Sequence, residues 1–458
     1  MKRRILVAFL AAVFLFAGAG LAEGVVRSEG GQWIMGFGSA EIPLPEDSDE
    51  PLYIAGYHNG WEISGVLDLQ RANAVWMDAG SGGMLLIGVD CVGLGGNVVD
   101  QLRERLSDFR KKTGCLSVNI FSTHTHAGLD TLGLWGPYGI DGKNGAFMEN
   151  LCDAVVNAAE AAYGNRAAGK LFYGEKKTKN TLRDSRNPQV YDPNLYQLRF
   201  VPQDGTGFRM LFYAAHAESL RGDNRMLSRD FPGVITDIIK EETGEDVLFL
   251  PGAIGGLIMT KELGSGVFKA EQNLRMTGER LAKYALTISE SDQREIPPGF
   301  ALSSVRVELP LDNPVFLLYQ FLGILDNPIF RGESETGFWT SVPLGVLQMD
   351  GLTVALLPCE LFPELLTGEG LAETDPAPLE AIAAEHGAGK LLAVGLCNDE
   401  IGYVPPPSAY LLNEKLPFFD RITDQTGEDH YEETNSLGIH TAQRISDGFR
   451  EALEALEQ

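Results

Sequence analysis

Leu116-Ser117-Val118-Asn119-Ile120-Phe121-Ser122-Thr123-His124-Thr125-His126-Ala127-Gly128 runs from a short apolar segment into two histidines one residue apart, and then into a glycine. The first part has the look of a buried strand, a brief apolar run bounded by turn or charged residues. Residues 84–89, 210–215, 247–250, 352–357 and 391–396 have the same look. Between them, residues 98–110, 146–162, 233–242, 270–288 and 441–456 carry apolar side chains at helical spacing. Strands alternating with helices predict an α/β fold, with mixed sheets flanked by helices, in one catalytic domain over residues 23–458.

Polar residues at the carboxyl ends of these strands are the candidates for chemistry, because the loops there converge on a crevice. His124 and His126 follow the strand that ends at Phe121. In extended backbone, side chains alternate with period two, so both imidazoles would share a face and could bind Zn²⁺. Two of the chain's seven histidines at this spacing favour a metal over a satisfied surface or core role. His216 follows the run ending at Ala215, with Glu218 and Ser219 beside it. Pro358-Cys359-Glu360 follows the run ending at Leu357; Glu360 is either a carboxylate ligand or a solvated loop residue. Asn398-Asp399-Glu400-Ile401-Gly402-Tyr403 follows the run ending at Leu396, and a tyrosine there suits either the core or a metal-bound phenolate.

Residues 313–325 are unusually apolar and lie between Asn and Pro boundaries. The plainer expectation is a core helix; the sharper one is an apolar flap beside a site for a lipid-like substrate.

Composition narrows the function. Lys plus Arg number 37 against 63 for Asp plus Glu, a formal net charge of -26. So acidic a surface repels phosphate backbones and argues against nucleic acid as a partner. Lys2, Arg3 and Arg4 precede an apolar run and then Gly20-Leu21-Ala22. That pattern predicts a signal peptide over residues 1–22 and a secreted or periplasmic protein with no membrane span after its removal. Five cysteines without a CxxC are expected to be mostly buried free thiols, with room for one bridge but no disulfide framework.

Taken in order, Thr123-His124-Thr125-His126, His216, Pro358-Cys359-Glu360 and Asn398 to Tyr403 resemble the catalytic domain of neutral ceramidases, zinc amidases of ceramide. The resemblance extends to Gly36-Phe37-Gly38-Ser39-Ala40-Glu41-Ile42 and Gly88-Val89-Asp90, and covers roughly residues 34 to 440. It implies Zn²⁺ held by His124, His216, Glu360 and Tyr403, with His126 close behind them to orient or move a proton. Arg183, in preference to Arg186, falls on the family's substrate-contacting arginine, and Tyr431 on a tyrosine that polarises the scissile carbonyl. Two departures stand out. The family's Gly-Asp-x-Ser loop is replaced by Gly255-Gly256-Leu257-Ile258, and no C-terminal immunoglobulin-like domain is expected.

The resulting expectation is a secreted zinc hydrolase that cleaves an amide, N-acyl bond of a small and lipid-like molecule through metal-activated water. An esterase and a non-catalytic metal- or ligand-binding relative are the alternatives. Oligomeric state is not readable from the chain.

Overall fold

The structure, a computed structural model, describes residues 24–46, 50–264 and 269–458. The signal-peptide expectation falls on residues outside these. Among the described residues, no helix is long and apolar enough to cross a membrane.

The predicted strands form at Gly83–Val89, Ser117–Ser122, Phe208–Tyr213, Asp246–Pro251, Leu352–Leu356 and Lys390–Val394. Gly83–Val89, Ser117–Ser122, Phe208–Tyr213 and Leu352–Leu356 are buried at every position, as strands covered on both faces must be.

Two large sheets organise the described residues. One has nine strands, in the order Asp246–Pro251, Phe208–Tyr213, Asn194–Pro202, Ala167–Lys177, Trp33–Glu41, Arg71–Asp78, Gly83–Val89 and Ser117–Ser122, with Gln293–Ile296 paired to Ala167–Lys177. Its interior pairs are antiparallel, whereas its outermost pairs at both edges are parallel. The other has six strands, in the order Gly24–Glu29, Gly299–Leu311, Phe338–Met349, Leu352–Leu356 and Lys390–Val394, with Ile329–Arg331 paired to Phe338–Met349. One apolar cluster joins Trp33, Met35, Phe200 and Leu248 of the first sheet to Phe300, Leu302, Leu347 and Val354 of the second. The sheets therefore pack face to face.

Helices cover both outer faces. Gly96–Arg105, Gly145–Gly164, Asp230–Thr243 and Lys269–Leu286 lie on the nine-stranded sheet, and Thr441–Glu457 lies on the six-stranded one. Thr441–Glu457 buries Ile445, Phe449, Ala452, Leu453 and Leu456, a helical stripe that faces the sheet. Gly36 and Gly38 let Gly145–Gly164 lie close to the strand beneath it. A Cβ on either would come 2.2 Å from a helix carbonyl, that of Ala162 or Ala158. The mixed α/β fold flanked by helices is thus the observed one.

Two expectations need correction. The helix expected over 98–110 is two, Gly96–Arg105 and Ser107–Thr113, separated at the buried Leu106. Residues 313–325 are not a core helix. Asn313, whose side chain accepts from the Val315 N–H, caps a short helix, Pro314–Phe321, none of whose residues is buried. Leu318, Phe321 and Leu322 are 48%, 68% and 51% exposed, which leaves the flap reading in place.

The sheets meet at their strand ends. Gly395 N–H donates to Pro251 O (3.0 Å), and Asn398 N–H donates to Ile120 O (2.7 Å). The chain leaving Lys390–Val394 is thereby stitched between both edges of the nine-stranded sheet. Leu396 and Asn398 take left-handed backbone angles (φ 51° and 69°) to make the passage. The candidate residues lie around this seam.

Candidate metal centre

His124 lies beyond Ser117–Ser122, and its backbone is left-handed (φ 62°) rather than extended. Period-two alternation therefore does not bring the two imidazoles together. Thr123 N–H is held by Val89 O, Thr125 N–H by Cys91 O and His126 N–H by Ala217 O. These neighbours impose a conformation that costs a non-glycine residue about 1–3 kcal/mol, a form of strain that gathers at functional sites. Its effect is to turn the His124 ring onto that of His126, with Nε2 atoms 3.1 Å apart.

His216 follows Phe208–Tyr213 and pairs as a single bridge with Met259. Glu360 and Tyr403 stand directly opposite each other in a short parallel pair, Glu360–Leu361 with Tyr403–Val404. Glu360 Oε2 lies 2.9 Å from His216 Nε2 and 3.4 Å from His124 Nε2, and Tyr403 Oη lies 3.5 Å from His216 Nε2.

The outer nitrogens show which atoms are free to ligate. His124 Nδ1 is 2.5 Å from Val92 O, and His216 Nδ1 is 3.2 Å from Ile258 O. Each carbonyl fixes the proton on Nδ1 and leaves an Nε2 lone pair facing inward. His126 Nδ1 is buried without a hydrogen bond, 3.9 Å from Glu218 Oε2. Placing the His126 proton on Nε2 would turn a bare lone pair toward that carboxylate. Placing it on Nδ1 turns a third lone pair inward. Inward-facing lone pairs beside a carboxylate call for a cation. Ligand atoms on a tetrahedral zinc at ~2.0–2.1 Å stand ~3.4 Å apart, and the contacts among these side chains run from 2.9 to 3.5 Å. His124, His126 and His216 thus form a buried triad that could bind a metal.

Burial lowers His216, but its hydrogen bond to Glu360 and the charge of Glu360 outweigh it and raise the imidazole, so this cluster draws positive charge. Burial and the neighbouring histidines hold His126 well below its ordinary value, so it is neutral. Burial pushes Glu360 up, but His124 and His216 outweigh it and hold the carboxyl well below its usual range. Burial, then the Glu360 charge, pushes the Tyr403 phenol well up; only an adjoining cation would favour its phenolate.

A cavity of about 620 Å³, counting its open mouth, gives access to the triad. His124, His126, Glu360, Glu400, Tyr403 and Tyr431 supply its polar lining, and Leu132, Leu134, Trp135, Phe316 and Leu325 its apolar wall. Tyr431, expected near the scissile carbonyl, is therefore at the site, its ring 6.1 Å from that of Tyr403. Arg183 lies exposed on Leu182–Arg183 and is not among the lining residues. Arg186 is buried and spent on Glu432 (3.1 Å) and Glu433 (3.0 Å).

Glu400 sits inside the tyrosine motif with no part expected of it, yet it lines the cavity with a buried, unpartnered Oε2. Burial, then the charge of Glu360, pushes its carboxyl well up. Phe316 is a further wall residue not foreseen by number, although the apolar 313–325 segment signalled it. All five cysteines are buried free thiols, as expected.

Comparison with known proteins agrees with the motif series. No protein-family model matches the chain. Neutral ceramidase of Pseudomonas aeruginosa is 25% identical over 202 residues, 39% of this chain and 30% of the relative's length. The solved structure of neutral ceramidase from Pseudomonas aeruginosa superposes with a TM-score of 0.71 at 18% identity, covering 93% of this chain and 74% of that one. A ceramidase complexed with C2 gives 0.70 at 17% identity, covering 93% and 75%. The chain is a distant relative of neutral ceramidase and has the fold of its catalytic domain.

Proposed function

We propose that this distant relative of neutral ceramidase is an exported zinc-dependent hydrolase that cleaves the amide bond of a small, lipid-like N-acyl substrate with water. The observation that carries the reading is the convergence of His124, His126 and His216 with the Glu360 carboxylate, of which His124, His126 and Glu360 line one cavity. Imidazoles with one carboxylate are a borderline donor set that suits zinc. When bound, zinc lowers the pKa of its water to about 7 and polarises a carbonyl.

The chain's own residues would do the rest. His126 joins His124, His216 and Glu360 as a ligand, its Nδ1 proton directed at Glu218, with Tyr403 alongside. Tyr431 donates to the scissile carbonyl oxygen as charge develops there. Glu400, kept protonated by burial and by Glu360, holds a proton at the cavity wall for the departing amine. Leu132, Leu134, Trp135, Phe316 and Leu325 exclude water from the acyl chain.

The rival reading, a metal-binding relative without turnover, draws on Gly256 and Ile258 standing where the resemblance expects the Asp and the Ser of the Gly-Asp-x-Ser loop. Zinc content and hydrolysis of a chromogenic N-acyl and ester panel separate the two, with Glu360→Gln as the control. Zinc bound by wild type, with turnover that falls at least about 10²-fold in the variant, supports the hydrolase. Zinc without turnover supports the rival. Turnover that is unchanged in metal-stripped protein overturns both.

A further inference from the structure

A second donor cluster lies away from this cavity, in the turn that leads to Tyr431. Thr423 pairs with Asp429 as a single antiparallel bridge, and Asp424 N–H donates to Glu428 O at 2.8 Å. Asp424 Oδ1 accepts from the Thr426 N–H (2.8 Å), the Thr426 hydroxyl (2.7 Å) and the Glu428 N–H (2.9 Å). One carboxylate oxygen thus builds the turn. The other, Oδ2, faces His430 Nε2 at 3.7 Å.

His430 is 4% exposed. Its Nδ1 lies 2.6 Å from Glu433 Oε1, and so close a carboxylate requires the proton on Nδ1. Arg186 Nη2, 3.2 Å from the same nitrogen, bonds Glu433 Oε1 at 3.0 Å instead. His430 Nε2 is left buried without a partner. At 3.7 Å it is beyond hydrogen-bond range of Asp424, so protonating it would not pair it. A donor atom of Glu428 completes a set in which all three ligand atoms lie within 4.8 Å of one another.

We infer that Asp424, Glu428 and His430 form a second metal site, for a divalent transition cation such as Zn²⁺ or Mn²⁺. Two carboxylates and an imidazole suit such ions. A histidine whose far nitrogen donates to a carboxylate, as His430 does to Glu433, is the usual support of a metal-bound imidazole. The site shares no residue with the first centre and does not depend on the hydrolase reading. Its ion would brace the turn immediately before Tyr431.

The test is cation content, by elemental analysis, of full-length protein stripped with chelator, re-equilibrated with Zn²⁺ and desalted. Asp424→Asn keeps an acceptor for the turn but removes the charge, and Glu428→Gln removes the second carboxylate. Each is expected to hold one Zn²⁺ per chain fewer than wild type, whatever the first centre holds. Zn²⁺ is also expected to slow tryptic cleavage after Arg421 in wild type but not in Asp424→Asn. Equal Zn²⁺ content in wild type and both variants would overturn the site, as would Zn²⁺ protection that persists in Asp424→Asn.

Discussion

Gly255 is pressed against the backbone of Glu360, so that a Cβ on it would lie 2.7 Å from Glu360 O and 2.5 Å from the Phe362 ring. Gly255 N–H also donates to Leu361 O at 2.9 Å. Gly255, the first residue of the segment that stands where the resemblance expects Gly-Asp-x-Ser, is therefore part of how the candidate ligand is seated. Gly255→Ser is expected to push the Glu360 strand out of register. Overpacking of this kind costs about 1–3 kcal/mol. Thermal melts and zinc content should both fall. A stable Gly255→Ser that keeps its metal would mean the loop can yield.

Asn398 carries a different burden, the seam between the sheets. Its Oδ1 accepts from Arg103 Nη2 (2.6 Å) and from the Ile120 N–H (3.1 Å), while its Nδ2 donates to Asn119 Oδ1 (3.1 Å). All of this is buried, and its backbone is left-handed, where asparagine is tolerated better than most residues. Asn398→Ala strands those partners and adds backbone strain. A loss of about 3 kcal/mol is expected from urea unfolding. A loss below about 1 kcal/mol would show that water replaces the side chain.

How much of this was legible in the sequence depended on whether the cause was local. Gly83–Val89 and Phe208–Tyr213 announce themselves because strands buried on both faces must be apolar throughout. His124, His126 and His216 stood out because each follows such a run, whereas Glu360 stayed open between ligand and loop, and Tyr403 between ligand and core, until the motif series was matched as a whole. The face-to-face packing was not, because Phe300 meets Met35 only through pairings distant in sequence. Nor was the His124 backbone angle, which hydrogen bonds to Val89, Cys91 and Ala217 impose on its neighbours. Glu400 was one acid among 63 Asp and Glu, and only its burial singles it out. Arg183 and Arg186 differ chiefly in burial, which spacing alone does not report.

Glu364 ties stability to pH. It is 8% exposed with an unpartnered Oε2. Burial, then the charges of Asp184 and Glu432, outweighs Arg186 and raises it from 4.5 to about 7. The folded chain therefore keeps this proton over a range where the unfolded chain has lost it. Stability from this group is full below about pH 4.5, falls as pH rises toward about 7, and stays low above that. The ceiling is on the order of 3 kcal/mol. Urea unfolding at pH 5 and pH 7.5 should show a smaller drop for Glu364→Gln than for wild type. Equal drops would assign the effect elsewhere, for instance to Glu432, which burial also raises to about 7.

Phe316 and Phe321 divide the short 314–321 helix between two tasks. Phe316 lines the cavity, whereas Phe321 stands 68% exposed beside the exposed Leu318 and Leu322. Apolar side chains left exposed on a helix beside the cavity are what a lipid-like ligand would meet first. Phe321→Asp removes exposed apolar surface and gives up an edge contact with the partly buried Phe338 (ring centroids 6.1 Å), and its cost in stability should be about 1 kcal/mol. If the helix receives lipid-like substrates, the variant should lose activity on N-acyl substrates in mixed micelles and keep it on short soluble ones. Phe316→Ala should instead raise KM for long acyl chains in both settings, because it alters the wall and not the approach. Equal losses by Phe321→Asp on soluble and micellar substrates would sink the flap, since its exposed face would then serve the reaction and not the encounter.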